Sequence, residues 1–170
     1  MPRGSPELTA ARKEEIIAAC EKLYQTMSFR DITIQEIANF TSFTRPSIYN
    51  YFETKEEIFL ALLQKEYERW TVDLEAVIAG NDRMTRDEVA QALAHSLERR
   101  EQLLKLMSMN HFDMEANSRI ERLTEFKRAF GSSMKAVDRL LQKFCPEMRL
   151  ENRQNFLYAF FRSSMVSIPI

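Results

Sequence analysis

The sequence contains few residues that interrupt helices, with three glycines and five prolines among 170 residues. The stretches between them are rich in Leu, Ala, Glu, Lys, Arg, Gln and Met, which all have a high intrinsic preference for the helix. A chain of this length has room for one sizeable core or for a small domain joined to a larger one. We therefore predict an all-α protein.

Cysteines are equally scarce, and the two that are present, Cys20 and Cys145, lie far apart within helical patterns. This spacing suggests neither a disulfide framework nor a zinc knuckle, and it fits a reducing compartment. The sequence also has no apolar run of about 18 residues and no charged-then-apolar leader, so neither membrane insertion nor secretion is expected. We predict a cytoplasmic protein that does not associate with a membrane.

Motifs for catalysis and for metal binding are missing as well. The sequence has no HExxH, no glycine-rich phosphate loop and no nucleophile elbow. His95 and His111 lie sixteen residues apart, with Asp113 and Glu115 near the second, but we expect neither a metal site nor an acid/base pair from them. The prediction is a protein that is not an enzyme and holds no metal or cofactor.

Positive charge is not in excess. The net charge is −1, and the first 60 residues carry seven basic against nine acidic side chains, a local balance of −2. Proteins that bind nucleic acid usually carry a basic patch. Any nucleic-acid interface in this chain must therefore depend on where a few cations point.

The chain is predicted to begin with a short arm followed by two helices. Residues 1–7 hold two prolines and a Gly-Ser pair, which predicts a disordered arm. Apolar residues at steps of three and four then indicate helix 1 over residues 8–27. Thr33 and Glu36 form a predicted capping box that opens helix 2, which ends at about Phe40.

A third short helix follows the polar pair Thr41-Ser42. Thr44 or Arg45 is its predicted cap, and Pro46 lies in its first turn, where the missing N–H costs little. This helix is predicted to end near Phe52.

Four more helices are predicted in the remainder of the chain, and polar caps mark the starts of three of them. They run from the cap Thr54 to about Ala79, from the capping box Thr85–Glu88 to about Met107, from the capping box Ser118–Glu121 to a break at Cys145-Pro146, and from about Glu151 to Ser167.

Helices 2 and 3 match the requirements of a helix-turn-helix. The positions where two short crossing helices bury their contacts hold Ile37, Ala38, Phe43, Ile48 and Tyr51. The other positions of helix 3 point away from that core, contain no acid and can enter a major groove. Hydroxyls of Thr33, Tyr49 and Tyr51, with the N-terminus of helix 4, can fix the register on the phosphate backbone.

The stretch Thr44–Phe52, followed by Thr54–Glu57, closely resembles the recognition helix and the start of helix 4 in tetracycline-repressor-like (TetR) regulators. The resemblance covers residues 8 to about 62. It implies a helix-turn-helix DNA-binding domain over residues 8–54 and a helical regulatory and dimerisation domain over residues 55–170. Ser42 departs from the family pattern, which usually has a glycine in this tight turn.

The resemblance also implies which residues contact DNA. In that family, the residues matching positions 45–47, 49 and 50 line the DNA surface, and the lysine matching Lys55 contacts a phosphate. With the hydrogen-bonding groups identified above, the predicted DNA-binding residues are Thr33, Thr44, Arg45, Pro46, Ser47, Tyr49, Asn50, Tyr51 and Lys55.

The body behind this domain carries many soft or aromatic side chains. Methionine adapts to irregular shapes and ligand pockets are mostly apolar, so such residues suit a small apolar or amphipathic effector. Residues with this spacing can equally be ordinary core. The predicted ligand-pocket residues are Tyr67, Trp70, Met107, Phe112, Met114, Phe126, Phe130 and Met134.

The last predicted helix is apolar on more than one face, whereas a surface helix of a monomer needs a single apolar stripe. A partner helix is therefore implied, and the resemblance to TetR-like proteins implies a homodimer. Because no second helix follows, we expect either that the chain is truncated or that the interface is unusually small. The predicted dimer residues are Phe156, Leu157, Phe160, Phe161 and Met165.

Together, these features predict a ligand-responsive repressor that binds a pseudo-palindromic operator in double-stranded DNA as a homodimer. Effector binding in the body is expected to tilt helix 4 and to favour a form that fits DNA poorly. The alternative, consistent with the near-neutral charge, is a helical protein–protein interaction module that does not bind DNA.

Overall fold

The computed structural model describes residues 4–109 and 111–164, without the side chains of residues 111, 112, 163 and 164. In these ranges the regular structure is all helical, which confirms the predicted fold class. The helices are α1 Pro6–Tyr24, α2 Ile34–Asn39, α3 Arg45–Ile48, α4 Lys55–Gly80, α5 Arg86–Glu98, α6 Glu101–Met107, α7 His111–Ala116, α8 Ile120–Phe144 and α9 Leu150–Ser164.

The chain divides into two compact units. The first, which we call the head, comprises Met1–Leu62 and Asp113–Leu123, and the second, the body, comprises Leu63–Phe112 and Thr124–Ile170. The head therefore contains the first two turns of α4 and, in addition, a segment from much later in the chain. The predicted division at residue 54 did not anticipate either feature.

Helix α1 starts inside the predicted disordered arm. The Ser5 hydroxyl accepts a hydrogen bond from the backbone N–H of Leu8 (3.2 Å), and Pro6 occupies the first helical turn. A serine cap and a proline at this position both favour the start of a helix. Pro6 and Glu7 are therefore helical, with Ser5 as their cap, where a disordered arm was predicted, and residues 1–3 lie outside the described residues.

Helices α2 and α3 form the short corner of the head. The Thr33–Glu36 capping box is confirmed: the Thr33 hydroxyl accepts from the Glu36 N–H (3.1 Å), and the Thr33 N–H donates to the Glu36 carboxylate (2.8 Å). Helix α3 ends one turn earlier than predicted, because the N–H groups of Tyr51 and Phe52 both bond to the carbonyl of Ile48. The fully buried core of the head includes Ile16, Cys20, Ile32, Ile37, Ile48, Phe52, Ile58 and Phe59.

The body departs from the prediction where one long helix was expected between residues 85 and 107. The Thr85–Glu88 capping box is confirmed. At Arg100, however, the backbone leaves the helical region (φ −114°, ψ 56°) and separates α5 from α6. The Arg100 side chain bonds Asp73 (2.7 Å) and the carbonyl of Arg69 (3.4 Å) on α4. These contacts come from another helix, so no local pattern announced the break.

The start of α8 also differs from the prediction. The Ser118 hydroxyl, expected to pair with Glu121 in a capping box, donates instead to the carbonyl of Met114 (2.6 Å) at the end of the unpredicted helix α7. From Ile120, α8 continues through Gly131 and ends at Phe144, before the predicted break. Among the described residues, no helix is long and apolar enough to cross a membrane.

Candidate nucleic-acid interface

The exposed side of α3 carries the side chains that the sequence assigned to DNA. Arg45, Pro46, Tyr49 and Asn50 are exposed, whereas Ile48 beneath them is fully buried. Tyr49 keeps 43% of its surface accessible, which is high for a large aromatic side chain. Helix α3 and the turn that follows it therefore present a guanidinium, a phenol and an amide, and the buried Ile48 anchors this segment.

Two hydroxyls at the start of α3 are paired with each other. The hydroxyls of Thr44 and Ser47 lie 2.9 Å apart, and the Thr44 side chain makes no capping bond to the backbone. A hydroxyl can both donate and accept, so each retains capacity for a phosphate oxygen or a base edge. Thr33 is instead occupied by its capping box at the start of α2.

The turn between α2 and α3 is stable without the glycine of the family pattern. The N–H of Ser42 donates to the carboxylate of Glu15 on α1 (2.6 Å). The Thr41 hydroxyl donates to the carbonyl of Ala38 (2.9 Å) and accepts from the N–H of Phe43 (3.1 Å). Side chains therefore form hydrogen bonds with the backbone N–H and carbonyl groups of this turn.

Tyr51 connects the corner to α1. Its hydroxyl accepts a hydrogen bond from Nη1 of Arg12 (2.9 Å), and its ring meets that of Phe43 edge to face, with centroids 5.9 Å apart. Arg12 and Asn50 line the same cleft, so an exposed cation lies beside the recognition helix. Sequence reasoning missed Arg12, because it lies 39 residues before its partner and no local pattern links the two.

Lys55, at the start of α4, is held against the loop after α1. Its ammonium donates to the carbonyl of Phe29 (2.8 Å) and lies 4.1 Å from the centroid of the Phe29 ring. An ammonium has three donors, so a lysine held in this way retains hydrogen-bonding capacity for a phosphate. The contact fixes where the positive charge lies.

A buried ion pair that sequence reasoning also missed lies behind this surface. The carboxylate of Glu57 is fully buried and lies 2.8 Å from Nε of Arg119. Burial alone would raise the pKa of Glu57, but hydrogen bonds from the side chain and backbone of Arg119 and from the backbone of Glu53 outweigh it and lower the pKa to about 2. The carboxylate is therefore charged at neutral pH, although it is out of contact with water.

Comparison with known families decides what kind of protein carries this surface. A family model described as bacterial regulatory proteins, tetR family, matches residues 16–62. A second, described as tetracyclin repressor-like, C-terminal domain, matches residues 64–165, which is more than half of the chain. The chain belongs to the tetR family. Its helix-turn-helix is thus the element with which this family of transcriptional regulators binds DNA.

Two curated relatives of this family member are also helix-turn-helix regulators. The HTH-type transcriptional regulator EthR of Mycolicibacterium smegmatis is 33% identical over 52 residues, which cover 31% of this chain and 24% of that protein. The uncharacterized HTH-type transcriptional regulator YdgC of Bacillus subtilis is 29% identical over 75 residues, which cover 44% of this chain and 38% of that protein. The chain thus spans well under half the length of either relative.

A solved structure shares the fold of this tetR-family chain. The fatty acid degradation regulator FadR from Bacillus halodurans superposes with a TM-score of 0.62 at 15% identity, covering 96% of this chain and 82% of that one. At this level of identity the likeness concerns the fold alone.

The body of this tetR-family protein brings together four of the eight residues predicted to bind a ligand. Tyr67 and Trp70 on α4 are fully buried, and Tyr67 meets the rings of Phe126 (6.0 Å) and Phe130 (5.4 Å) on α8. Phe161 on α9 packs against Trp70 (6.0 Å) and Phe130 (5.4 Å). With Phe160, which stacks on Trp70, these rings form what we call the aromatic cluster: Tyr67, Trp70, Phe126, Phe130, Phe160 and Phe161.

The other predicted ligand residues are more scattered. Met107 is buried in the body and Met134 is half-buried on α8, but Met114 belongs to the head, where it is 1% exposed. The side chain of Phe112 lies outside the described residues.

One atom of the aromatic cluster is unsatisfied. The hydroxyl of Tyr67 is buried and has no hydrogen-bond partner among the described residues, and burial raises the pKa of this phenol. The indole of Trp70 beside it does have a partner, since its Nε1 donates to the hydroxyl of Ser96 (2.9 Å). Buried polar groups are nearly always paired, so the Tyr67 hydroxyl requires an explanation.

The residues predicted to form a dimer interface have different environments on α9. Phe156, Leu157 and Phe160 are half-buried. Phe161 is 3% exposed because it packs into the aromatic cluster, so it is a core residue of its own chain rather than part of an outer face. Met165 lies outside the described residues. Large exposed apolar side chains among the described residues of α9 are Leu150 (58%) and Tyr158 (54%), and neither was predicted to form the interface.

Proposed function

We propose that this tetR-family protein is a repressor that binds a pseudo-palindromic DNA operator as a homodimer and releases it when an effector binds in the body. The observation that carries the DNA-binding part is the exposed, acid-free surface of α3 and the turn after it, where Arg45, Tyr49 and Asn50 are exposed and Ile48 is buried. A short helix with donors on its outer side can enter a major groove and bond base edges.

Backbone contacts complete this interface. Arg12 lines the cleft beside the recognition helix, and Lys55 lies at the start of α4; an intramolecular contact holds each of them, one to Tyr51 and one to Phe29. With Arg45 they supply three cations that can pair with phosphates, and such contacts set the orientation of a protein on a duplex. The overall charge of −1 is compatible with this role, because contacts to phosphates depend on these local cations and not on the net charge.

The test uses a duplex that the wild-type protein selects from a random-sequence library, which we call the selected duplex. Replacing both Arg45 and Tyr49 by alanine removes side chains that are exposed, so the far-UV circular dichroism is expected to stay unchanged while retardation of the selected duplex is lost. Arg128→Ala, which removes an exposed arginine of α8, is the matched control and should bind like wild type. Undiminished binding by the double variant would remove Arg45 and Tyr49 from the interface.

The orphan hydroxyl of Tyr67 supports an effector site in the aromatic cluster. Leaving a buried donor unpaired costs roughly 1–3 kcal/mol, and a ligand oxygen that accepts from Tyr67 would recover part of this. The surrounding rings would contact the apolar part of such a ligand. The proposed effector is therefore an apolar molecule with one hydrogen-bonding group, within the predicted apolar or amphipathic class.

Long-chain fatty acids have this chemistry, and the structural neighbour is described as a fatty acid degradation regulator. Palmitate is therefore the first probe. Trp70 is the single tryptophan of the chain and lies in the aromatic cluster, so its fluorescence should change on titration with palmitate. Tyr67→Phe should weaken this response, whereas an unchanged emission in wild type would contradict the binding of palmitate in the aromatic cluster.

Dimerisation is supported by apolar side chains of α9 that the chain itself does not cover. Leu150 and Tyr158 are more than half exposed, and Leu157 is half-buried, which is unfavourable for large apolar side chains left in water. A second copy of this helix would cover them. Sedimentation should give a dimer for wild type and a monomer for Leu157→Glu; a monomeric wild-type protein would contradict the homodimer.

A further inference from the structure

The start of α8 holds the backbone that follows the recognition helix. Nη2 of Arg119 and Nη2 of Arg122 both donate to the carbonyl of Tyr51, at 3.3 and 3.4 Å. The guanidinium of Arg122 also lies 5.0 Å from the centroid of the Phe52 ring. All of these residues belong to the head, although the arginines come 68 and 71 residues after Tyr51.

Arg119 is itself held in place by the buried Glu57. Oε1 of Glu57 accepts from the backbone N–H (2.9 Å) and from Nε (2.8 Å) of Arg119. Oε2 accepts from Nη2 of Arg119 (2.9 Å) and from the N–H of Glu53 (2.9 Å). Two of these four bonds hold the guanidinium in a bidentate pair, and the two backbone bonds hold the carboxylate, so the direction of the guanidinium towards Tyr51 is restrained.

A second link joins the same two segments. The hydroxyl of Thr54 accepts from the N–H of Glu57 (3.1 Å), which caps α4, and donates to the carbonyl of Asn117 (2.8 Å). The beginning of α4 is thereby attached to the residues just before α8. We call the set formed by Tyr51, Glu57, Arg119 and Arg122 the Arg119 clamp.

The recognition helix needs such external support. Helix α3 has four residues, and helices this short are unstable unless neighbouring groups hold them. Ile48 anchors α3 from below, and Tyr49 and Asn50 lie between this anchor and the clamped carbonyl of Tyr51. The clamp therefore limits the backbone positions from which these two exposed side chains can project.

We infer that Arg119, oriented by Glu57, is a positioning residue for DNA binding: it fixes the carbonyl of Tyr51 and thereby the direction of Tyr49 and Asn50. The inference rests on the proposed function of α3, to which it adds a determinant from the start of α8. Operator affinity thus depends on an arginine that does not itself contact DNA.

The direct test compares Arg119→Ala with Arg100→Ala on the selected duplex. Arg100 is a matched control, because it also bonds one carboxylate (Asp73, 2.7 Å) and one backbone carbonyl (Arg69, 3.4 Å), but within the body. At a temperature where both variants are fully folded, Arg119→Ala should bind at least about tenfold more weakly, and Arg100→Ala within about twofold of wild type. Equal affinities for Arg119→Ala and wild type would overturn the inference.

The salt dependence of binding separates positioning from direct contact. Log affinity falls with log salt, and each lost phosphate contact makes this negative slope shallower by about 0.9. Arg119→Ala should therefore keep the wild-type slope, whereas Lys55→Ala should reduce it. A reduced slope for Arg119→Ala would make Arg119 a DNA-contacting residue and would overturn the positioning role.

If Arg119→Ala does not fold, Arg119→Lys carries the test. Lysine keeps the charge for Glu57 but lacks the planar fork that reaches Glu57 and Tyr51 together, so weaker binding by a folded protein is expected. Wild-type affinity in this variant would overturn the inference. Failure of the proposed function is recognised separately, because then the wild-type protein would select no duplex at all.

Discussion

The head and the body treat a fully buried polar group in opposite ways. In the head, each carboxylate oxygen of Glu57 accepts two hydrogen bonds. Three of the four donors belong to Arg119, and the fourth is the backbone N–H of Glu53. In the body, the hydroxyl of Tyr67 has no partner among the described residues and is surrounded by aromatic rings. In the head, the hydrogen bonds of Glu57 thus hold the surrounding backbone in one conformation. In the body, the hydroxyl of Tyr67 retains hydrogen-bonding capacity that a ligand can use.

The largest expected effect comes from the aromatic cluster. Trp70→Ala removes a fully buried indole, and truncating such a side chain typically lowers the free energy of unfolding by about 3 to 5 kcal/mol. Urea unfolding followed by circular dichroism measures this. Val72→Ala, on the same helix but 67% exposed, should change the free energy of unfolding by less than about 0.5 kcal/mol. Similar losses in both variants would show that the cluster does not support the body.

The next effect concerns the ion pair of the head. Glu57→Gln removes the charge that Arg119 faces and should lower the free energy of unfolding at pH 7 by about 1 to 3 kcal/mol, because the pKa of Glu57 is lowered in the folded state but the Arg119 side chain, 39% exposed, is partly screened by water. Urea unfolding again provides the measurement. A loss below about 0.5 kcal/mol would mean that water already screens the pair.

This effect has a defined pH dependence. Because the pKa of Glu57 is about 2 in the folded protein and near its ordinary value of about 4.3 in the unfolded chain, the unfolded state binds more protons between these values. The stabilisation is therefore fully present above about pH 5 and is lost as the pH falls towards 2. Unfolding of Glu57→Gln should lack this component of the acid dependence, so parallel curves for the two proteins would contradict the assignment.

The smallest effect has the opposite sign. Tyr67→Phe removes the unpaired hydroxyl while keeping the ring, and should raise the free energy of unfolding by up to about 1 kcal/mol. Ser96→Ala is the matched change in the same unit; it leaves Nε1 of Trp70 without its acceptor and should lower stability by about 1 to 2 kcal/mol. If Tyr67→Phe is destabilising instead, the hydroxyl has a partner and the contrast between head and body disappears.

Local patterns in the sequence predicted the parts of the fold that local forces determine. The capping boxes at Thr33 and Thr85 are confirmed, because each depends on a partner three residues away. The exposure of Arg45 and Tyr49 over a buried Ile48 likewise follows from apolar spacing within a few residues. The helical fold and the family could therefore be anticipated without coordinates.

Contacts between distant residues could not be predicted in this way. The bond from Arg12 to Tyr51 spans 39 residues, and the bonds from Arg119 to Glu57 span 62. The break at Arg100 and the different partner of Ser118 likewise depend on neighbours that tertiary packing supplies. Phe161 was assigned to a dimer interface because its helix is apolar on more than one face. In the structure this ring packs against Trp70 and Phe130 in the core of the body.

Whether the head binds the phosphates and bases of DNA is decided by how the affinity of the protein for the selected duplex depends on salt. If Arg12, Arg45 and Lys55 of each head contact phosphates, a dimer neutralises about six of them, and log affinity should fall against log salt with a slope of about −5. Affinity should then decrease by roughly a thousandfold between about 50 and 200 mM salt. An affinity that does not change over this range would contradict the account and favour a protein partner for the same surface.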